Sequence, residues 1–215
     1  MKRIYGLFLL LLILSPIRAK AVENKELIPN ATSGLLMEQS TGDIIFEKDK
    51  DKQVAVASMT KMVAQTIILE RIEEGKIKWD DIVTVSKNAS SMGGSQIYLT
   101  TGEKMSVKDL FKGISIASAN DATVAMAEYI SGTETEFVKL MNKKVKDLGL
   151  KNTVFKNCTG LDEDGHLSSA YDMAIIARNL LNHEDILKFS SVYEDYLRQN
   201  TENKFWLVNT NKVVY

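Results

Sequence analysis

The sequence predicts an α+β fold, and three observations lead to that prediction. Two short apolar runs flank a Ser-Thr-Gly turn within residues 34–47, which is the pattern of a β-hairpin. Segments with helical periodicity and helix-capping residues fill the middle of the chain, and residues 204–215 return to a strand-like mixture rich in Val, Trp, Phe and Tyr. Strands followed by several helices and then by another strand are typical of the α+β class.

The first element of the chain is predicted to be a secretory signal peptide. Two basic residues precede an apolar run from Ile4 to Ile17, and Ala19-Lys20-Ala21 has the small residues of a cleavage site. We expect residues 1–21 to be removed and the protein to be exported to the cell wall or the outer face of the cytoplasmic membrane. The alternative is an uncleaved anchor, although the run is shorter than the roughly 18 to 20 residues that span a bilayer. Such an anchor is the only route to a membrane that we expect.

After the hairpin, the sequence predicts a helix from Ser58 to Glu74 that ends at Gly75. Its apolar residues lie almost all round the helix, so we expect it to be buried in the core. These residues are Met59, Met62, Val63, Ile67, Ile68, Leu69 and Ile72.

Further helices are indicated by capping pairs, in which a Ser or Thr is followed three residues later by an acidic residue. The pairs are Ser106 with Asp109, Thr133 with Glu136, and Ser169 with Asp172. Another helix is expected from Asp121 to Ile130, after a loop of small residues.

Composition excludes several functions for the chain of 215 residues. The formal net charge is −1 with both signs interspersed, so we expect no nucleic-acid partner. His166 and His183 are the only histidines, and no cluster with Cys or acids has the spacing of metal ligands, so we expect no metal. The single cysteine, Cys158, is either a reactive thiol or a small buried side chain beside the Thr159-Gly160 turn. We favour the buried side chain, because nothing nearby in the sequence would lower its pKa.

The segment Ser58-Met-Thr-Lys61 places a hydroxyl and an amine one helical turn apart. Serine is a poor nucleophile unless a base accepts its proton, and a lysine that has lost its own proton is such a base. Apolar neighbours would desolvate Lys61 and lower its pKa, whereas the alternative is a solvated surface lysine without this role. At the first turn of a helix, Ser58 also meets free backbone N–H groups that suit a developing oxyanion. The segment therefore predicts nucleophilic acyl transfer, with Ser58 as nucleophile and Lys61 as general base.

A second segment, Ser118-Ala-Asn120, adds a hydroxyl and an amide to this prediction. It lies in the loop of small residues that leads into the helix at Asp121. Alone, it indicates only that Asn120 or Asp121 caps that helix. The segment Ser58-x-x-Lys61 is what favours a place for Ser118 and Asn120 in the same site.

Together these segments resemble the penicillin-binding, active-site-serine family, and specifically its D-alanyl-D-alanine carboxypeptidases of low molecular mass. The resemblance covers roughly residues 30–212. The matching segments are Ala57-Ser-Met-Thr-Lys-Met, Met92-Gly-Gly-Ser-Gln-Ile-Tyr-Leu, Gly102-Glu-Lys-Met-Ser-Val-Lys-Asp-Leu, Ala117-Ser-Ala-Asn-Asp-Ala, and Gly160-Leu-Asp with His166. The resemblance implies the transpeptidase fold that β-lactamases share, an antiparallel sheet with helices on both faces and a helical sub-domain. Residues 22–215 would be the N-terminal part of the catalytic domain, with the C-terminal strands missing.

The resemblance also implies an activity and a role for each site residue. The enzyme would remove the terminal D-alanine from peptidoglycan stem peptides through an acyl-enzyme on Ser58, and β-lactams would inhibit it covalently. Lys61 would be the base, Ser118 would relay a proton to the departing D-alanine, and Asn120 would hold Lys61 and the substrate amide. The backbone N–H of Ser58 would be one oxyanion donor, and no cofactor is implied.

One departure from the family pattern keeps other functions open. The chain contains no Lys-Thr-Gly string, and residues 209–215 resemble the segment shortly before that motif, so we expect the chain to stop ahead of it. The alternative function is therefore a non-catalytic or inactive cell-wall fragment. A class A β-lactamase is less favoured, because it would use a glutamate in a Glu-x-x-Leu-Asn string that does not occur. Glu163 is the only glutamate near a comparable point.

Overall fold

The structure is a computed structural model that describes residues 27–214. The predicted signal peptide lies outside these residues. The described residues divide into two compact units, with the boundary between residues 49 and 50. No helix within the described part of the chain is long and apolar enough to span a membrane.

The described part of the first unit is the predicted β-hairpin. Strand β1 (Gly34–Met37) pairs antiparallel with β2 (Ile44–Lys48), and a register shift interrupts the pairing between Leu36 and Met37. In the connecting turn, the Glu38 carboxylate accepts hydrogen bonds from the Thr41 backbone N–H and the Ser40 hydroxyl. These bonds lower the pKa of Glu38 to about 2. The hairpin prediction is confirmed.

The second unit is mainly helical. A 3₁₀ turn, Ala57–Thr60, precedes seven α-helices in the described residues. The helices are α1 (Lys61–Glu73), α2 (Lys87–Ser90), α3 (Val107–Ala117), α4 (Asn120–Ser131), α5 (Glu134–Asp147), α6 (Ala170–Leu180) and α7 (Asp185–Ser190). Two small antiparallel sheets complete the unit. They pair β3 (Ile82–Thr84) with β4 (Lys104–Ser106), and β5 (Glu194–Leu197) with β6 (Phe205–Val208).

All three predicted capping pairs are confirmed by hydrogen bonds. Each Ser or Thr hydroxyl accepts from the backbone N–H of the acidic residue three positions later, which satisfies one of the free donors at a helix start. The distances are 3.1 Å for Ser106 and Asp109, 3.2 Å for Thr133 and Glu136, and 3.2 Å for Ser169 and Asp172.

Helix α1 lies in the core of the second unit, where it packs against α3, α4, α5 and α6. Val63 and Ile68 are fully buried there, as predicted. The predicted start at Ser58 is wrong, because the 3₁₀ turn occupies residues 57–60 and α1 begins at Lys61. Since Met59 lies in that turn, the α-helical periodicity does not apply to it, and its prediction as a core residue is also wrong. Met59 is 49% exposed.

Candidate active site

The Ser58 side chain is exposed at the surface, in the 3₁₀ turn that leads into α1. The residue before it, Ala57, has φ of 44°, a left-handed conformation that costs a residue with a Cβ about 1–2 kcal/mol. Such strain occurs at functional sites when the surrounding structure enforces it. The backbone N–H of Ser58 has no hydrogen-bond partner among residues 27–214. Ser58 therefore presents a hydroxyl and an unpaired N–H at the same point.

Lys61 lies directly behind Ser58. Its Nζ atom donates to Ser58 Oγ at 3.1 Å and to the Thr159 carbonyl oxygen at 2.7 Å. The Lys61 side chain is only 2% exposed, so the alternative of a solvated surface lysine is wrong.

Burial changes the proton affinity of this amine. Desolvation disfavours the ammonium form and lowers the pKa of Lys61 from 10.5 to about 8, against a small opposing effect of Cys158. At pH 7, about one molecule in ten then carries the neutral amine. A neutral amine within hydrogen-bond distance of a serine hydroxyl is able to accept its proton.

Cys158 is fully buried beside this site. Burial raises the pKa of its thiol well above the ordinary value, and the nearby Glu134 carboxylate raises it further. Glu134 Oε1 also accepts a hydrogen bond from the Cys158 backbone N–H at 3.1 Å. These observations support the interpretation of Cys158 as a small buried side chain rather than a reactive thiol.

The segment after Cys158 braces the turn that carries Ser58. Gly160 has φ of +83°, and a Cβ at this position would lie 1.9 Å from the Ala57 carbonyl oxygen. Only a glycine allows so close an approach of the two backbones. His166 supports the same turn, because its Nε2 lies 2.8 Å from Thr60 Oγ1 while its Nδ1 accepts from the Lys156 N–H at 3.2 Å. Burial lowers the pKa of His166, which favours the neutral ring that this pairing requires.

Ser118 ends helix α3 in a left-handed conformation, with φ of 56° and ψ of 36°. The N–H groups of Ser118 and Ala119 bond back to the Ile114 and Gly113 carbonyls at 3.1 Å each, which closes the end of the helix. The Ser118 side chain is half-buried, and its hydroxyl forms no hydrogen bond with any of residues 27–214. That hydroxyl is therefore free to bind another group.

Asn120 is the first residue of α4 and is 4% exposed. Its side-chain Nδ2 donates to the Gly93 carbonyl at 2.7 Å, and its backbone N–H donates to the Ser95 carbonyl at 2.7 Å. The helix cap is Ala119, which has no side-chain hydrogen bond, so the interpretation of Asn120 or Asp121 as that cap is wrong. Asn120 instead ties the Gly93–Ser95 loop to α4. Within the described residues it forms no hydrogen bond to Lys61.

Asp121 anchors the same loop further along. Its carboxylate accepts from the Ile97 N–H at 3.1 and 3.2 Å and from the Leu99 N–H at 3.0 Å. We expect Asp121→Asn to lower the free energy of unfolding by about 1–3 kcal/mol, because one acceptor oxygen becomes an NH₂ group that faces backbone N–H groups. Urea denaturation measures the change. Asp164→Asn, the same substitution at an exposed position, is the control, and equal midpoints for the two variants would contradict the prediction.

The two serine motifs are joined by close contacts between loops. Gly160 packs against Ala57, and a Cβ on Gly94 would lie 2.7 Å from the Asn120 side-chain nitrogen and 3.7 Å from Leu161. The Gly93–Ser95 loop and the residue 160–161 loop thus meet beside Asn120. Next to them, a cavity of about 300 Å³ is lined by Ala55, Val56, Ala57, Gly160, Leu161, Asp162 and His166.

The sequence did not indicate two backbone groups of this site. The carbonyls of Thr159 and Gly93 hold Lys61 and Asn120, and backbone carbonyls have no residue signature. The glycines at positions 94 and 160 were the available signal, since a glycine in a loop often marks a close approach of the backbone. No three His, Cys, Asp or Glu side chains are grouped to hold a metal ion anywhere in residues 27–214.

A serine hydroxyl beside a desolvated lysine amine, in an α+β fold, is the arrangement found in enzymes that transfer acyl groups through serine. The profile of the family described as D-alanyl-D-alanine carboxypeptidase matches residues 19–215. The D-alanyl-D-alanine carboxypeptidase DacF of Bacillus subtilis is 59% identical over 189 residues, which are 88% of this chain and 49% of that protein. Escherichia coli DacA is 35% identical over 213 residues, 94% of this chain and 52% of that protein.

Solved structures agree with the sequence comparisons. Penicillin-binding protein 6B of Escherichia coli superposes with a TM-score of 0.82 at 32% identity, over 93% of this chain and 62% of that one. Penicillin-binding protein 5 of Haemophilus influenzae has a TM-score of 0.80 at 34% identity, over 86% and 53% of the two chains. The chain belongs to the D-alanyl-D-alanine carboxypeptidase family and has its fold, as the sequence predicted. It spans about half the length of the curated relatives it matches.

Proposed function

We propose that this chain is the part of a serine-type D-Ala-D-Ala carboxypeptidase that carries the nucleophile and its base. The enzyme removes the terminal D-alanine from peptidoglycan stem peptides through an acyl-enzyme on Ser58, in cell wall biogenesis. Membership of the family supports this proposal. The single observation that carries it is the 3.1 Å hydrogen bond between Lys61 Nζ and Ser58 Oγ, made by a lysine that is almost fully buried.

The first half of the reaction forms the acyl-enzyme. Neutral Lys61 accepts the proton of Ser58, and Ser58 Oγ attacks the carbonyl carbon between the two D-alanines. The unpaired N–H of Ser58 stabilises the oxyanion of the tetrahedral intermediate. The carbon–nitrogen bond then breaks, and D-alanine leaves as an amine that receives the proton from Lys61 through the Ser118 hydroxyl. The free state of that hydroxyl within the described residues supports this relay.

The second half of the reaction is the reverse sequence with water in place of D-alanine. Lys61 accepts a proton from water, the hydroxide attacks the ester carbonyl, and Ser58 regains its proton when the ester bond breaks. Asn120 holds the substrate amide and, once substrate is bound, Lys61. Its position beside Gly94 and Leu161, where two loops meet, supports a contact with a bound peptide.

β-Lactams and export are part of the same proposal. A β-lactam offers Ser58 a strained amide in place of the D-Ala-D-Ala bond, and the acyl-enzyme that forms deacylates slowly. Three of the structural relatives are named penicillin-binding proteins or peptidoglycan regulators. We place the protein outside the cytoplasm, in the cell wall or at the outer face of the cytoplasmic membrane, because its stem-peptide substrate is located there.

The test is intact-mass spectrometry of the protein after incubation with benzylpenicillin, beside a Ser58→Ala control. We expect a stoichiometric covalent adduct on the wild type and none on Ser58→Ala. Folded wild type without an adduct would favour the alternative of an inactive cell-wall fragment. Sustained hydrolysis of nitrocefin would instead favour a β-lactamase.

A further inference from the structure

We propose that Asn157 is a positioning residue for Lys61, which it serves by shaping the loop whose Thr159 carbonyl binds the lysine amine. The inference deepens the proposed function and rests on it, because it assigns a task to a residue outside the two serine motifs. Among the described residues, Asn157 forms no hydrogen bond with Ser58 or Lys61. Its effect passes through the backbone of residues 159–161.

The Asn157 side chain makes hydrogen bonds on both sides of its amide. Its Oδ1 accepts from the Gly160 N–H at 2.8 Å, and from the Thr159 N–H and hydroxyl at 3.2 Å each. Its Nδ2 donates to the Leu161 carbonyl at 2.9 Å and to Glu163 Oε2 at 3.0 Å. One half-buried side chain therefore replaces the secondary structure that residues 159–161 lack.

The loop that Asn157 closes has two contacts with the 3₁₀ turn that carries Ser58 and with Lys61 directly after it. The Thr159 carbonyl lies 2.7 Å from Lys61 Nζ, and Gly160 packs against the Ala57 carbonyl. Without the Asn157 amide, the Thr159 and Gly160 N–H groups lose their acceptor and the Leu161 carbonyl loses its donor. The loop then has no fixed conformation that keeps the Thr159 carbonyl against the amine.

The Thr159 carbonyl determines how the neutral amine faces Ser58. A neutral lysine has two N–H bonds and one lone pair, and a carbonyl oxygen binds an N–H and repels the lone pair. With one N–H directed to Thr159, the lone pair is available to the Ser58 hydroxyl at 3.1 Å. A lysine without that carbonyl samples orientations in which the lone pair points elsewhere, and the rate falls accordingly.

The loop also keeps water away from Lys61. The groups near the amine are the Cys158 thiol, which burial keeps protonated, and Glu134 beyond it, which binds the Cys158 N–H. Two further titratable groups of this region are engaged elsewhere, since the His166 ring pairs with Thr60 and the Asp121 carboxylate accepts from the Ile97 and Leu99 N–H groups. No carboxylate forms an ion pair with Lys61 in the described residues. Exclusion of water is therefore the main cause of its low pKa, and a loosened loop would raise that pKa from about 8 toward 10.5.

The experiment measures the acylation rate by benzylpenicillin against pH for wild type and Asn157→Ala. We expect the midpoint of the rise in rate to move from about pH 8 to a higher pH. Below the midpoint the neutral fraction of Lys61 falls about tenfold for each unit by which its pKa rises, so the rate at neutral pH should fall by the same factor. At high pH, where Lys61 is neutral in both proteins, the difference should be much smaller. A variant that merely weakens the fold would lower the rate by a similar factor at every pH.

Asn142→Ala is the matched control. Asn142 also bonds to backbone with both ends of its amide, accepting from the Phe155 N–H at 2.9 Å and donating to the Phe155 carbonyl at 2.8 Å. It binds the chain just before Asn157, and it forms no hydrogen bond with residues 159–161 in the described part of the chain. We expect Asn142→Ala to lower stability and leave the midpoint of the pH profile unchanged.

Asn157→Asp tests the role of the amide more finely, and it remains informative if Asn157→Ala does not fold. The aspartate keeps an acceptor for the Thr159 and Gly160 N–H groups but places a second carboxylate beside Glu163. In the double variant with Glu163→Gln, the glutamine NH₂ group donates to the aspartate. We expect the double variant to recover most of the wild-type pH profile. A single Asn157→Asp variant with a wild-type profile would overturn the inference.

A measurement without turnover separates this inference from the proposed function. The carbon-13 signal of the Lys61 side chain, assigned with a Lys61→Met variant, reports the lysine titration directly. A higher Lys61 pKa in folded Asn157→Ala, which adds no charge, than in wild type would support the inference even if benzylpenicillin leaves the wild type unmodified. Identical Lys61 titrations in wild type and both folded variants would overturn it, whatever the acylation result.

Discussion

Lys61→Met is expected to slow the acylation of Ser58 by benzylpenicillin by about 10²- to 10⁴-fold, the usual contribution of a positioned general base. Methionine has a similar length and suits the buried environment of this side chain, but it cannot accept the Ser58 proton. In the wild type, the rate should rise with pH through a midpoint near pH 8 and level off above it, because only the neutral amine is a base. Stopped incubations followed by mass spectrometry give both rates, and a pH-dependent rise that survives in Lys61→Met would assign the titration to another group.

The same lysine makes a prediction about stability. Its pKa is about 8 in the folded protein, below the ordinary 10.5, so the unfolded chain binds more protons between these two pH values. The free energy of unfolding should therefore rise with pH across this window, by about 3 kcal/mol from this group alone. Below pH 8 the penalty is constant. Lys61→Met has no titrating group at this position. The urea midpoint of the wild type, relative to that of Lys61→Met, should therefore be higher at about pH 10 than at about pH 7.

Gly160→Ala is expected to have the second large effect, on stability and activity together. The new Cβ would lie 1.9 Å from the Ala57 carbonyl oxygen and 3.0 Å from Thr60 Oγ1, so the backbone of the Ser58 turn must move. The φ of +83° adds the cost of a left-handed alanine. Together we expect about 2–5 kcal/mol of lost stability. A displacement of Ser58 by about 1 Å would slow acylation by about 10²-fold.

The variant Gly102→Ala separates the steric contact of the new Cβ from the cost of a left-handed alanine. Gly102 has the same φ of +83°, but a Cβ there would have no atom within 4 Å. We expect it to lose only the conformational part, about 1–2 kcal/mol, and to keep the wild-type acylation rate. Thermal denaturation and adduct formation measure both variants. Equal losses for Gly102→Ala and Gly160→Ala would show that contact with the Ser58 turn does not matter.

Local patterns in the sequence predicted much of the secondary structure. The hairpin at residues 34–47 and the capped starts of α3, α5 and α6 depend on residues within a few positions of each other, and the structure confirms them. Strands β3, β4 and β5 were not predicted. They have three or four residues each, which is too short for an alternating pattern of apolar and polar residues to stand out.

The candidate site was likewise predictable only where it depends on residues close together in the sequence. A spacing of three residues in a helical turn brings Lys61 Nζ to 3.1 Å from Ser58 Oγ, so the sequence alone was enough to predict this pair. The apolar neighbours of Lys61 also predicted its burial correctly. Spacing could not place Ser118 and Asn120 relative to that pair, because they are some sixty residues further along the chain. The capping of α4 by Ala119 was likewise decided by the loop that Asn120 binds.

The sequence by itself determined the family, the hairpin, the capped helices and the pairing of Ser58 with Lys61, since each depends on short-range spacing or on side-chain identity. Only the tertiary structure decided which backbone atoms complete the site. The Thr159 carbonyl reaches Lys61 across 98 positions of sequence because Asn157 shapes its loop and because Gly160 has no side chain. Backbone carbonyls are the same in every residue, so their place in a site follows from packing and not from composition.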